Sequence, residues 1–270
     1  MKSLIIGILL TFFLTQISSA QWYIQNPIPG NTFSANKIQF FDESNGIIVG
    51  SLGLVYLTTN GGYTWGSVYI GESENFVDMS FINRYFGIIL SENSILTTSD
   101  GGWTWNKILE VENNNHLRYC SIGDTLNFFV TMSVWGPEYQ TYILTSNDGG
   151  ISWNQSPVFT GIPYDIYFMN KNVGFYFLGN KLYKTIDGGI NWTITQFPDM
   201  SSLNISFCDS LNGMVMGSHT FLTNNGGLSW HQANYPPEGV RDAIEYAPDL
   251  IVAVGSNQSI YKSTDQGNTW

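Results

Sequence analysis

Six copies of an eight-residue motif divide this chain at nearly regular intervals. Each copy has Asp or Asn at its third position, Gly at its fifth and Trp at its eighth. The copies are TTNGGYTW (58–65), TSDGGWTW (98–105), SNDGGISW (146–153), TIDGGINW (185–192), TNNGGLSW (223–230) and STDQGNTW (263–270). Their closing tryptophans are 40, 48, 39, 38 and 40 residues apart. A period of this length indicates supersecondary units that bury a shared core by stacking.

The segments before each motif predict three short strands, and a fourth is expected to begin at the closing tryptophan. In the first unit these segments are KIQFFD, NGIIVG and GLVYLTT. Four strands in about 40 residues are typical of a propeller blade. We therefore predict an all-β propeller of four-stranded blades over residues 21–270. The expected blades are 35–74, 75–115, 116–162, 163–201, 202–238 and 239–270, the last without its fourth strand.

The motif residues are those that a tight turn between the third and fourth strands needs. Glycine permits positive φ, and an Asp or Asn side chain can accept backbone N–H bonds across the turn. A catalytic carboxylate would not be repeated six times or replaced by an amide, so we assign these residues a structural role. The structural set is Asn60, Trp65, Asp100, Trp105, Asp148, Trp153, Asp187, Trp192, Asn225, Trp230, Asp265 and Trp270.

The pattern S/T-x-D-x-G-x-S/T-W resembles the Asp-box, or bacterial neuraminidase repeat, of several β-propeller families. The longer unit FFDESNGIIVGSLGLVYLTTNGGYTW is similar to propellers of the photosystem II stability/assembly factor type. The resemblance implies a propeller whose binding sites lie on the disc face opposite the boxes. Members with the photosynthetic role have an arginine-lined patch. This chain has only three arginines, Arg84, Arg118 and Arg241, so that particular partner is not carried over.

The first twenty residues predict a secretory signal peptide. They combine Lys2, an apolar run of about eleven residues and a small-x-small end at Ser18 and Ala20. Residues 21–34 are expected to form an orphan closing strand that begins near Trp22. Because the chain also ends on a box tryptophan, we expect an incomplete seven-bladed ring, with a six-bladed ring closed by residues 21–26 as the alternative.

The charge excludes some partners. The chain has 10 Lys and Arg against 21 Asp and Glu, a net charge of −11, which repels phosphate backbones. We therefore expect no nucleic acid as a partner, and we also expect no membrane span and no cofactor. No metal site is expected either, because His116, His219 and His231 lack metal-ligand spacing. Cys120 and Cys208 occupy matching strands two blades apart, which is too far for a disulfide.

Candidate binding residues come from loops on the face opposite the boxes. The third unit is about eight residues longer than the others, and we place its surplus in the connection SVWGPEYQTY (133–142). The blade-to-blade connections NQSPVFTGIPY (154–164) and HQANYPPEGVR (231–241) are also aromatic and polar. The candidates are Trp135, Glu138, Tyr139, Tyr142, His231 and Tyr235.

Enzyme activity has little support in the sequence. Sialidases need three arginines around the substrate carboxylate, but Arg84 falls on the box face here. Other glycosidases use a pair of carboxylates. The acids Glu110, Glu112, Glu138, Asp165 and Glu245 show no such pairing and are expected to be solvated. We predict a secreted, non-enzymatic interaction or assembly scaffold with a protein or glycan ligand. A carbohydrate-active propeller, either glycosidase or lectin-like, is the alternative.

Overall fold

The computed structural model describes residues 34–70, 75–112, 114–136, 138–198, 204–234, 240–247, 250–255 and 259–270. Residues 1–33 lie outside this part, so the predicted signal peptide and nearly all of the predicted closing strand are not described. Of the residues described, every regular element is a β-strand except one 3-10 turn, Ser51–Gly53.

The first two sheets each contain four antiparallel strands in chain order. Sheet 1 consists of β1 (Ala35–Phe40), β2 (Gly46–Gly50), β3 (Leu54–Thr58) and β4 (Gly66–Tyr69). Sheet 2 consists of β5 (Phe76–Phe81), β6 (Gly87–Ser91), β7 (Ser94–Thr98) and β8 (Asn106–Glu110). In both, the box lies between the third and fourth strands, and the fourth strand begins just after the box tryptophan.

Sheet 3 departs from the repeat. Its strands are β9 (Asn115–Ile122), β10 (Phe128–Val134), β11 (Gln140–Ser146), β12 (Asn154–Gln155) and β13 (Phe159–Thr160). Both short strands pair with β11. The surplus residues therefore lengthen the hairpin β10–β11, as predicted, and part of the expected blade-to-blade connection instead forms a split fourth strand.

The last three sheets return to the regular order. Sheet 4 contains β14 (Pro163–Phe168), β15 (Gly174–Leu178), β16 (Lys181–Thr185) and β17 (Thr193–Gln196). Sheet 5 contains β18 (Asn204–Phe207), β19 (Gly213–Met216), β20 (Thr220–Thr223) and β21 (His231–Ala233). Sheet 6 contains β22 (Val240–Ala247), β23 (Leu250–Gly255) and β24 (Ile260–Ser263).

These sheets confirm the predicted propeller of four-stranded blades. The blade number is not confirmed, because five sheets have the full set of strands and sheet 6 has three among the described residues. The six- or seven-bladed ring remains a prediction. Five apolar clusters fill the spaces between consecutive sheets, so each blade buries a face against its neighbour. Trp105, for example, packs with Ile47 and Leu57 of sheet 1.

The first strands of sheets 1 to 5 line a central channel with a volume of about 620 Å³. Polar groups in this channel join neighbouring blades. Asp78 Oδ1 lies 3.1 Å from Lys37 Nζ, and its Oδ2 accepts a 2.8 Å hydrogen bond from Cys120 N. Further round, Ser121 Oγ accepts from Phe168 N at 2.8 Å. Because each bond crosses between blades, these residues set the register of the first strands around the axis.

Asp165 takes part in the same system, which corrects its prediction as a solvated acid. Its Oδ1 accepts from Ile166 N at 2.8 Å, and its Oδ2 accepts from Ile205 N of the next blade at 3.0 Å. Burial raises the pKa of this carboxyl to about 7, against an opposing effect of Lys37. Asp165 therefore links the first strands of two neighbouring blades by hydrogen bonds.

Candidate functional site

The six boxes use their polar groups within the fold. In the second box, Asp100 Oδ1 accepts from Thr104 N at 2.9 Å and Oδ2 accepts from the Thr104 hydroxyl at 2.6 Å. The Thr98 hydroxyl donates to Asp100 Oδ1 at 2.9 Å and accepts from Gly102 N at 3.0 Å. Trp105 Nε1 donates to Gly102 O at 2.9 Å. Within this one turn, the carboxylate, the two hydroxyls and the indole N–H all have hydrogen-bond partners.

The other boxes repeat the side-chain hydrogen bonds of the Asp or Asn, including those boxes with an amide. The indole bond is less regular: Trp270 Nε1 donates to Asn234 O, and the buried Trp230 Nε1 has no partner among the described residues. Asn60 Oδ1 accepts from Thr64 N at 2.9 Å, and its Nδ2 donates to the Thr64 hydroxyl at 2.8 Å. Hydrogen bonds from Ser152 are the main cause that lowers the pKa of Asp148 to about 2. These carboxylates are held ionised as acceptors, which is the opposite of what a general acid needs.

The boxes also define the two faces of the disc. The box glycine Gly101 donates its N–H to Tyr85 O, in the turn between the first and second strands, at 2.9 Å. Both turns therefore lie at one end of the sheet. The connections between second and third strands lie at the other end, because all four strands alternate in direction.

A cleft of about 230 Å³ opens at this other end, between sheets 3 and 4. Trp135 and Tyr139, both predicted as binding residues, form its aromatic wall and are 59% and 45% exposed. Their ring centroids are 6.3 Å apart. Ile162 and Pro163, at the start of sheet 4, supply an apolar side. Aromatic rings held in this way offer a large contact area at a low entropic cost.

Two polar groups in the cleft lack partners within the described part of the chain. Arg118, on β9, is half-buried and has no hydrogen bond or ion pair from its side chain. Ser133, on β10, is only 3% exposed, and its hydroxyl has no hydrogen-bond partner. Buried polar groups are nearly always satisfied, so an orphaned hydroxyl beside an unpaired guanidinium indicates a place for a ligand acceptor.

A neighbouring blade supports the tryptophan. The His116 ring packs against Trp135 with a centroid distance of 5.3 Å, and His116 Nδ1 lies 3.4 Å from Glu92 Oε2 in sheet 2. Leu117 N also donates to Glu92 O at 2.7 Å. These contacts hold β9 against the connection between β6 and β7 of sheet 2. Because β9 pairs with β10, Trp135 at the end of β10 is supported from the neighbouring blade.

The remaining candidates are only partly brought together. Glu138 is exposed between the two aromatic residues, and Tyr142 is half-buried on β11, where its hydroxyl donates to Gln140 Oε1 at 3.2 Å. His231 is not in a connection as predicted; it begins β21 directly after a box tryptophan and is therefore distant from the cleft end of its sheet. Tyr235 lies outside the described residues.

Sequence reasoning missed Arg118 and Ser133 as parts of this site. Arg118 was considered only as one of three arginines for a sialidase site, and Ser133 only as the first residue of the long connection. The alternation of strand residues was the available signal, because side chains two apart on β9 and β10 share a face. That signal does not say which face borders a cleft.

Other kinds of site have less support. Of the residues described, none form a cluster of three His, Cys, Asp or Glu side chains that could hold a metal ion. Within the same ranges, no helix is sufficiently long and apolar to cross a membrane. Cys120 is buried in β9, where burial raises the pKa of its thiol, and no disulfide joins it to Cys208.

Comparisons with known proteins agree with this architecture. The family model for photosynthesis system II assembly factor YCF48 matches residues 64–196, just under half of the chain. The structure of YCF48 from Cyanidioschyzon merolae superposes with a TM-score of 0.69 at 18% identity, over 90% of this chain and 86% of that chain. The resemblance to this family of Asp-box propellers is thereby confirmed.

Two further structures also match, and a search of curated proteins gives no match. YCF48 bound to D1 peptide gives a TM-score of 0.49 at 18% identity, over 92% of this chain and 96% of that chain. An ancestral GH74 enzyme gives 0.63 at 15% identity, over 91% of this chain but 38% of the enzyme. At 15% identity the likeness to the GH74 enzyme shows the fold alone.

Proposed function

We propose that this chain, an Asp-box propeller resembling the photosystem II assembly factor family, is a non-enzymatic scaffold that binds a protein segment at the cleft of Arg118, Ser133, Trp135 and Tyr139. The observation that supports this proposal most directly is a pair of hydrogen-bond donors without partners, Arg118 and Ser133, beside two exposed aromatic rings. An extended segment that presents an acceptor next to an apolar side chain would satisfy all four residues. The description of the matching family as an assembly factor agrees with this role.

The cleft also favours one charge in its ligand. The planar guanidinium of Arg118 can donate two parallel charge-assisted bonds to a carboxylate. An acidic side chain or a free peptide C-terminus fits this geometry. The chain as a whole is strongly acidic, with a net charge of −11. A carboxylate ligand would therefore depend on Arg118 for its affinity.

We place this scaffold outside the cytoplasm, because residues 1–20 have the pattern of a secretory signal peptide. Mass spectrometry of the N-terminus of the exported protein tests this placement. A mature chain that begins at Gln21 supports it, whereas retention of residues 1–20 in the purified cytosolic protein contradicts it.

A glycan is the alternative ligand, since exposed Trp135 and Tyr139 would also suit stacking on a sugar ring. A peptide array with free and amidated C-termini and a glycan array, probed with the same purified protein, separate the two. Peptide binding that is lost on Trp135→Ala supports the scaffold. Glycan binding followed by hydrolysis, with turnover lost on Glu138→Gln, would show a carbohydrate-active enzyme instead.

A further inference from the structure

The sixth position of each box has a property that the turn does not require. In the five complete blades this residue is Tyr63, Trp103, Ile151, Ile190 or Leu228, and each side chain is between 58% and 87% exposed. The turn hydrogen bonds involve only backbone atoms at this position. Five large apolar side chains are therefore presented to solvent without a structural reason.

A second apolar residue joins them in three blades. Tyr85, Leu126 and Leu211, in the turns between first and second strands, are 53–55% exposed. Their carbonyl oxygens accept the box glycine N–H bonds at 2.9, 2.9 and 2.8 Å. Each of these turns is thus fixed beside the box of its own blade. We call the whole set the apolar tips: Tyr63, Tyr85, Trp103, Leu126, Ile151, Ile190, Leu211 and Leu228.

The apolar tips all point toward one side of the disc. The first strands run side by side around the channel, joined by bonds such as Cys120 N to Asp78 and Phe168 N to Ser121. Their turns consequently end at the same level. Aromatic side chains carry ~150–250 Å² each, so Tyr63, Tyr85 and Trp103 alone expose roughly 400 Å². The five aliphatic tips add to this exposed apolar surface, which is distributed around the face and is not one contiguous patch.

The charges on this face limit what can cover it. The box acids Asp100, Asp148, Asp187 and Asp265 are joined by turn acids such as Asp42, whose pKa is lowered mainly by a hydrogen bond from Ser44 N. Arg84, one of few cations here, lies over the Tyr85 ring at 4.8 Å. A second copy would bring two acidic faces together, and an anionic membrane would repel this face as well.

We propose that the apolar tips dock this face on a bilayer of zwitterionic lipid. The tips are separate points arranged around a disc, so a flat and soft surface reaches them all at once, whereas a narrow peptide would reach two or three. Trp and Tyr are also the residues that favour the membrane interface. Docking in this orientation leaves the cleft on the opposite face directed away from the membrane.

The test is co-sedimentation of the mature protein with sucrose-loaded phosphatidylcholine vesicles. The variant Ile151→Ser/Ile190→Ser/Leu228→Ser removes three tips, and Leu52→Ser/Val158→Ser/Ile194→Ser removes three aliphatic residues that are 46–58% exposed elsewhere. All six side chains are solvent-exposed, so both variants should fold, which circular dichroism verifies. We expect the tip variant to need at least tenfold more lipid for half-binding, and the control to remain within twofold of the unmodified protein.

Two further readouts identify the surface. Vesicles with one-third phosphatidylglycerol should bind less than pure phosphatidylcholine, and the fluorescence blue shift on binding should be lost with Trp103→Phe but kept with Trp135→Phe. The proposal is wrong if phosphatidylcholine does not retain the protein, if the tip and control variants bind alike, or if phosphatidylglycerol increases binding. It is also wrong if the tips instead mediate a concentration-dependent dimer in sedimentation velocity without vesicle binding.

Discussion

Trp105 and Trp135 lie at opposite ends of neighbouring sheets and have opposite surroundings. Trp105 packs against the core of sheet 1 and donates its indole N–H to Gly102 O, so its box satisfies it fully. Trp135 is 59% exposed and stands beside Arg118 and Ser133, which lack partners among the described residues. The Asp, glycine and tryptophan of the second box are used by the fold. The hairpin that departs from the repeat is where we propose that a ligand binds.

The largest effect should come from replacing these two tryptophans. Trp105→Ala removes a ring from an interface between blades and should lower the free energy of unfolding by about 3 kcal/mol. Trp135→Ala leaves mostly exposed surface and should cost at most ~0.5 kcal/mol. Urea unfolding of both variants measures the difference. Equal losses would contradict the division between a structural face and a binding face.

The second prediction concerns the box acid. Asp100→Ala removes an acceptor shared by two hydroxyls and two backbone N–H groups, and should cost about 2 kcal/mol. Asp100→Asn should cost at most ~0.5 kcal/mol, because Asn60 and Asn225 form the same turn. Thermal unfolding of the pair checks this. An Asn variant as damaged as the Ala variant would mean that the charge matters, and not the hydrogen-bond geometry.

The propeller could be predicted from sequence because its signal is repeated six times and each copy has a local cause. The Asp or Asn, the glycines and the tryptophan of a box determine one turn without help from distant residues. The cleft could not be predicted in the same way. Arg118 and Ser133 border it only because sheet 4 packs beside β9 and because β13 closes on β11, and neither contact has a local pattern.

Asp165 shows the same limit and provides a pH test. Its carboxyl has a pKa of about 7 in the folded state, above ~3.9 for an unfolded aspartate, so the native protein holds this proton more tightly. The contribution of this proton to the free energy of unfolding is fully present below pH 4 and is lost as the pH rises toward 7. Asp165→Asn should abolish this loss.

The size of the effect is limited because Asp165 faces the channel and is partly accessible to water. Between pH 4.5 and 7.5, the unmodified protein should lose on the order of 1–2 kcal/mol more of its unfolding free energy than the Asn variant. Urea unfolding at each pH measures both. Parallel stability curves for the two proteins would show that Asp165 is ionised throughout.

The smallest effect is expected in the sixth box, where Gln266 occupies the place of a glycine. Its φ is 58°, whereas the corresponding glycine in the second box has a φ of 81°. A side chain at positive φ costs ~1 kcal/mol, and part of that cost is offset by the lower chain entropy of an unfolded non-glycine residue. Gln266→Gly relieves this backbone cost but also removes the contacts of the Gln266 side chain, so the net change in thermal unfolding should stay within about 1 kcal/mol. A larger loss of stability would mean that the side-chain contacts outweigh the backbone cost.

The most direct test of the central claim compares two arginines from opposite faces. Arg118→Gln removes the unpaired donor of the cleft, and Arg84→Gln removes the arginine that covers Tyr85 on the box face. The strongest peptide from the array, titrated by calorimetry, should bind Arg118→Gln at least tenfold more weakly and Arg84→Gln within twofold of the unmodified protein. Equal affinity for Arg118→Gln and the unmodified protein, or a larger loss with Arg84→Gln, would contradict the assignment of partner binding to the face opposite the boxes.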